Sequence, residues 1–295
     1  MYLRRSTRKG RELSLGMIGT GVLALAASTL IALIVLVVLK EAAPALAEVG
    51  LWRFVSDPDW HPSSDEYNLT PMVAGTFLVA LGALLLAIPL GLIVAIFVSF
   101  YAPPAVGTAY LRLIELFAGI PSVLYGLWGL IVLVPLIAEI KSPGSSLLAA
   151  VLVLALMVLP TIALISTMSL RAVPLDRIQA ARALGFTKSS TIFKIVIPSA
   201  RKGLAVAGVL GAGRAVGETM AVMMVAGNIV QVPESVFEPV RTLSANIALE
   251  IAYAMDIHRS ALFVSALVMI VFVLLATALL EVLTGGKAMA DGQPE

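Results

Sequence analysis

The chain has no cysteine among its 295 residues and only two histidines, His61 and His258. Disulfides, thiolate metal sites and cysteine nucleophiles are therefore excluded. His61 has no histidine or cysteine near it to complete a metal site, and no nucleophile–base–acid constellation can be assembled. The phosphate-binding pattern G-x-x-x-x-G-K-[ST] is absent. Gly285-Gly286-Lys287 lacks both the upstream spacing and the hydroxyl residue. The expectation is a chain that is not an enzyme and carries no metal or cofactor of its own. Charge is also scarce, at 13% of residues, where soluble domains hold roughly 25%. A net charge of +2 gives no reason to expect nucleic acid as a partner.

What the chain has instead is apolar length. It is 60% hydrophobic, with a mean hydropathy of +1.01. Apolar runs cover about 17–39, 71–101, 109–138, 147–170, 203–228 and 261–283. Each is near or above the ~20 residues that a helix needs to cross a bilayer. The predicted fold is an all-α polytopic membrane protein with six transmembrane helices. The first run follows Arg4, Arg5, Arg8, Lys9 and Arg11. It exceeds the ~7–15 apolar residues of a signal peptide, so it reads as a retained span despite the Ala45-Leu46-Ala47 pattern. Basic residues concentrate before the first run and in 171–202, and are few in 40–70 and 229–260. Basic loops stay in the cytoplasm, which predicts an N-in, C-in orientation. The resulting division is 1–70 (N-terminus, first span and outer loop), a transmembrane core over 71–284, and a cytoplasmic tail at 285–295.

Prolines punctuate the runs. Pro89 and Pro160 predict kinks, because proline removes a backbone donor and crowds the preceding turn. Pro121 interrupts the third run, which also holds Arg112 and Glu115 near its start. A helix broken there either kinks for packing or directs its free N-terminal donors at an anion. Trp52 and Trp60 are suited to a membrane interface.

The fifth run, 203–228, reads GLAVAGVLGAGRAVGETMAVMMVAGN. As one helix it would be ~39 Å long. Arg214 and Glu218, four residues apart, would share a face, beside the small-residue pair Gly213 and Gly217 and with Gly208 and Gly211 adding a surface for close helix approach. A charge within a span rarely faces lipid. Two readings stand: a salt bridge that locks two helices, or a pathway residue that touches an anion.

Between the fourth and fifth runs, Asp176 to Gly185 has the form of a complete short helix. Asp176 is placed as N-cap, Gln179 three residues on completes a capping box, and Gly185 suits the C-terminal turn. Ile178, Ala181 and Leu184 make a narrow apolar stripe. Such a helix either lies on anionic membrane lipid or docks in a groove of another protein.

Here the residues resemble a known family. Gln179-Ala180-Ala181, then Gly185, then Ile195-x-Ile197-Pro198 is similar to the EAA signature of ABC importer permeases, with Gln179 in place of Glu and Ile197 in place of Leu. Residues 114–126 (IELFAGIPSVLYG), 213–222 (GRAVGETMAV) and 239–250 (PVRTLSANIALE) further resemble the C-type permease subunits of bacterial phosphate (Pst) importers. The resemblance implies a type I importer permease fold in a bacterial inner membrane. It implies a homologous A-type permease, two ATP-binding subunits that carry ATP and Mg, and a periplasmic phosphate-binding protein as partners. It assigns coupling to the ATPase to Gln179, Ala180, Ala181, Gly185, Ile195 and Pro198. It assigns phosphate passage to Arg214 and Glu218, with the adjoining Thr219. Arg donors suit phosphate oxygens, and Glu218 one turn away would compete for Arg214 and limit the dwell time of the ion. Permeases for sulfate, molybdate or phosphonate, and a channel or secondary carrier, are the alternatives.

Overall fold

The computed structural model describes residues 3–284, so the expected tail at 285–295 lies outside the described residues. The chain runs α1 (Leu3–Glu48), α2 (Arg53–Ser56), β1 (Trp60–His61), β2 (Glu66–Tyr67), α3 (Thr70–Ile96), α4 (Pro104–Gly119), α5 (Ser122–Trp128), α6 (Val134–Ile140), α7 (Leu147–Arg171), α8 (Leu175–Ala183), α9 (Lys188–Thr191), α10 (Ile197–Gly217), α11 (Met220–Val225), α12 (Leu243–Glu250) and α13 (Asp256–Thr284). β1 and β2 form a small antiparallel hairpin, with Trp60 opposite Tyr67. Among the described residues, six helical stretches are long and apolar enough to cross a membrane: Gly19–Glu48, Thr70–Tyr101, Ser122–Ile140, Leu147–Arg171, Lys188–Gly217 and Asp256–Ala278.

The spans correct the sequence reading at two places. The third is not one helix over 109–138. It breaks at Ile120 and Pro121, which leaves Arg112 and Glu115 exposed on the separate helix α4. The fifth begins at Lys188, fifteen residues earlier than expected, and ends at Gly217 instead of continuing to 228. Lys194, Arg201 and Lys202 thus stand on the helical stretch that leads into the span, not in a loop.

α7 is the centre of the fold. Val153, Leu154, Met157, Val158 and Ile162 are essentially inaccessible. They meet Val79, Ala80, Ala83 and Ala87 of α3, Ala207 and Ala215 of α10, and Ala221, Val222 and Val225 of α11. Alanines at three- and four-residue spacing let α3 and α7 approach closely, which matters in lipid because apolar burial alone gives little drive for association there. The outward faces stay apolar, as with Leu85, Ile93, Leu116, Ile131 and Leu274. α1 packs on α13 through a second cluster containing Ala42, Ala45, Ala261 and Leu262. At the other end, Ala95, Leu170, Val173, Val196 and Ala200 form a third.

Helices α3, α5 and α9 each run into a wide turn with an i→i+5 hydrogen bond, at Phe97–Tyr101, Gly129–Leu133 and Ile192–Val196. The residue closing each turn, Ala102, Val134 or Ile197, immediately precedes a proline: Pro103, Pro135 or Pro198. Proline has no N–H and its ring crowds the carbonyl four residues back, so the backbone widens just before it. Pro89 and Pro160 sit inside α3 and α7 without such a turn.

The N-terminus of α7 shows how the loops are tied down. The first donors of a helix have no partner within it. Ser146 Oγ accepts from Ala149 N–H, while the N–H groups of Leu147 and Leu148 donate to the carbonyls of Glu238 and Val236. The strap between α11 and α12 therefore closes over the end of the central helix.

Candidate functional site

The fifth span ends between Arg214 and Glu218. Gly217 is the last residue of α10, and Glu218 has extended backbone, with φ −73° and ψ 123°. Arg214 and Glu218 thus lie on different elements, and the shared helical face expected from their spacing does not exist. Arg214 is half-buried and donates Nη1–H to Thr161 Oγ1 of α7 at 3.0 Å. Among the described residues it joins no ion pair.

The Glu218 carboxylate has another task. Its Oε1 accepts from Ala221 N–H at 3.0 Å, capping the start of α11. A carboxylate is favourable there because the unpaired N–H groups of the first turn carry partial positive charge. The Glu218 carbonyl accepts from Ser244 Oγ of α12 at 3.2 Å. Thr219 sits at the cap position itself, yet its hydroxyl turns back to the Gly217 carbonyl at 3.4 Å. In this structure the Glu218 carboxylate shapes the break, and among the described residues it makes no ion pair with Arg214.

The partner break lies beside this one. α4 ends at Gly119, and the Tyr125 hydroxyl reaches back across Ile120 and Pro121 to donate to the Phe117 carbonyl at 2.8 Å. α5 then packs on α11. A Cβ on Gly126 would come within 2.8 Å of the Ala221 Cα, so only glycine fits. The small residues of α10 are used differently from expectation. Gly211 meets Ile162, but Gly208, Gly213 and Gly217 have open space where a side chain would stand.

The short helix between the fourth and fifth spans is α8. Asp176 is not its N-cap. Pro174 takes that position and Asp176 is the second helical residue, exposed in the first turn. A proline that fixes φ just before the helix starts it without a side-chain cap. The C-terminus is as predicted. Gly185, at φ +81°, donates to Arg182 O, and Phe186 N–H donates to Ala181 O. This is the paired arrangement that a left-handed glycine permits. The apolar stripe divides. Ala181 is buried and Ile178 packs against the third cluster, whereas Leu184 is 78% exposed. Gln179, Ala180, Arg182, Ala183 and Leu175 are exposed with it. The inward face holds α8 to its own chain, and the outward face is free. Ile195 lies within the wide turn and Pro198 just beyond it.

A cluster that sequence reasoning did not single out lies at the opposite end. Glu250, 7% exposed, accepts Arg241 Nη1–H at 2.7 Å and Trp60 Nε1–H at 2.9 Å, with His258 Nε2 also 2.9 Å away. Arg241 also donates to Asn246 Oδ1 and to the Asn228 carbonyl. The cluster joins β1, the strap, α12 and α13. Trp60 is thus buried within this cluster, while Trp52 is 77% exposed. α3 presses on the same strap. A Cβ on Gly75 would stand 2.5 Å from Arg241 O, and Thr76 Oγ1 accepts from Leu243 N–H at 2.9 Å. The stretch 239–250 is visible in sequence. Its link to Trp60, 190 residues away, is not.

Comparison with known proteins places this geometry. Residues 87–286 match the family described as the binding-protein-dependent transport system inner membrane component. The chain is 39% identical over 241 residues to a probable ABC transporter permease protein, YqgH, of Bacillus subtilis, covering 80% of this chain and 78% of that one. It is 36% identical to the phosphate transport system permease protein PstC of Xylella fastidiosa, covering 74% of each. Against PstC of Mesorhizobium japonicum it is 32% identical, covering 84% and 85%. Among solved structures, an inward-facing MetNI methionine ABC transporter chain superposes with a TM-score of 0.55 at 19% identity, covering 80% of this chain and 98% of that one. An amino acid ABC transporter with histidines gives 0.53 at 18%, covering 73% and 91%. At these identities the two structures speak for the fold alone.

Proposed function

We propose, for a chain that belongs to the family of binding-protein-dependent transport system inner membrane components, the role of multi-pass permease subunit in an ATP-driven importer of inorganic phosphate. The observation that carries this reading is Arg214, a cation within a span whose hydrogen bond goes to a neutral hydroxyl and which, among the described residues, has no carboxylate partner. A guanidinium so placed keeps several donors in a planar fork that matches phosphate oxygens. The relatives named as phosphate permeases supply the choice of oxyanion.

Passage requires that the ion be held and then released. Thr161 occupies one guanidinium donor, so the fork is shared between the protein and the ion. Glu218 spends its carboxylate on the α11 amide, which holds the break open beside Arg214 without neutralising it. Thr219 lies in the same break. A homologous second permease would supply the facing half of the path, and a phosphate-binding protein would deliver the ion from outside. The exposed face of α8, with Gln179, Ala180, Ala183 and Leu184, would seat in an ATP-binding subunit. Gly185 fixes where that face ends, and Ala181, Ile195 and Pro198 tie α8 to α10. ATP and Mg belong to the two ATP-binding subunits. The basic N-terminus and the segment 171–202 would lie in the cytoplasm, giving N-in, C-in orientation.

Phosphate uptake into proteoliposomes holding this chain with its partner subunits, with and without ATP, tests the reading. ATP-dependent uptake that disappears in Arg214→Ala, with assembly intact, is the expected outcome. Uptake by this chain alone and indifferent to ATP would overturn it, and loss of assembly in Arg214→Ala would make the residue structural.

A further inference from the structure

The cationic end of α10 has no role in the account above. A groove of about 400 Å³ is lined there by Arg177 of α8 and by Lys194, Pro198, Arg201 and Lys202 around the wide turn. Ser199 adds a hydroxyl, and no carboxylate lines the groove. Arg177, Lys194, Arg201 and Lys202 are all exposed, and none makes a hydrogen bond or an ion pair with another described residue. The wide turn at Ile192–Val196 and the burial of Ala181 fix the two walls, so the cations converge from separate elements.

We propose that this groove is a binding site for the phosphate oxyanion. Four like charges held together repel one another, and a bound anion with several oxygens relieves that repulsion. Arg and Lys side chains together offer both forked and point donors to such a group.

Two sources carry this chemistry. The groove lies where the polar end of α10 gives way to its apolar span, the depth at which an anionic phospholipid of the cytoplasmic leaflet presents its headgroup. Lys202, Val206 and Leu210 are exposed at successive four-residue steps, so an acyl chain has an apolar strip to follow. The groove stands at the end of the same helix α10 that carries Arg214, so free phosphate leaving the path on that side would also arrive at the groove. Placement in the cytoplasm, and the free-ion source, rest on the transport reading; the lysine chemistry tested below does not.

The test is amine acylation of the full chain, read residue by residue by mass spectrometry, in nanodiscs and a buffer free of amines. Nanodiscs of phosphatidylglycerol are compared with nanodiscs of phosphatidylcholine, the latter with sodium phosphate or with sodium chloride at equal ionic strength. Lys141, exposed at the far end of the fold, is the internal reference. Severalfold slower labelling of Lys194 and Lys202 in phosphatidylglycerol alone identifies the lipid headgroup. Slowing by phosphate but not by chloride identifies the free ion. Either protection should be lost in Arg177→Gln/Arg201→Gln, whose altered side chains are exposed. Labelling that follows Lys141 in every arm overturns the proposal. So does protection that arises only on adding an ATP-binding subunit, which would make the groove a protein contact. Because no transport is measured, failure here leaves the Arg214 reading standing, and failure of uptake in Arg214→Ala leaves this one standing.

Discussion

Arg241 Nη1 lies 2.7 Å from Glu250 Oε1, and each side chain is mostly shielded from solvent. Between them runs the turn from strap to α12. Glu250 gathers two further partners, Trp60 from 190 residues away and His258 from the start of α13. Removing one partner of a buried ion pair leaves the other uncompensated, at a cost of roughly 3–5 kcal/mol. Glu250→Ala should therefore lower the thermal stability of the detergent-solubilised chain well below that of wild type. Glu250→Gln, which keeps an acceptor for Trp60, should lose less. Equal melting temperatures for the three proteins would show that the cluster does not stabilise this end of the fold.

Thr161 is the neutral tether of Arg214. Thr161→Val keeps the shape and deletes the acceptor, a change of about 1 kcal/mol for one hydrogen bond. Uptake should fall only a fewfold, with an altered half-saturation for phosphate, while Arg214→Ala abolishes it. Comparable losses in both variants would place the essential chemistry in the hydrogen bond and not in the charge.

Opposite faces of α8 should respond differently to charge. Ala181 is buried against its own chain and Leu184 is 78% exposed. Leu184→Asp should leave the chain folded and weaken co-purification of the ATP-binding subunit. Ala181→Asp should reduce the amount of folded chain recovered even without partners. Normal co-purification of Leu184→Asp would remove α8 from the interface.

Gly185 stands at φ +81° with open space where a Cβ would go. Gly185→Ala therefore tests backbone conformation without a steric clash, at about 1–2 kcal/mol for a left-handed alanine. ATPase stimulation in the assembled transporter should fall, with little change in yield. Gly75→Ala is the contrasting case, since its Cβ meets a backbone carbonyl at 2.5 Å, and it should depress the yield of folded protein.

The spans were legible because apolar length is a local property, and so was the glycine that ends α8. The breaks were less so. Pro121 announces the interruption at the end of α4, but nothing comparable marks Glu218. The residues GETMAV would continue a helix by composition, and the chain departs from it because the Glu218 carboxylate caps α11 and Ser244 holds the Glu218 carbonyl. Both bonds depend on tertiary placement. Reading Arg214 and Glu218 as neighbours on a face failed for that reason. The bond joining Trp60 to Glu250 bridges a separation that no periodicity reports, and the facing of α8 depended on whether Ala181 or Leu184 found a neighbour within the chain.

The wide turns before Pro135 and Pro198 change what a helical stripe means. Each accommodates one residue beyond the regular count, and one residue corresponds to about 100° of rotation. A row of side chains that faces lipid before Ile192–Val196 is therefore carried about a quarter-turn round the axis after it. Along the fifth span, the side presented by Lys188–Thr191 before the turn and the side that would meet a neighbouring helix on α10 after it are not one continuous surface, so a substitution scan there should show two phases of sensitivity offset at the proline.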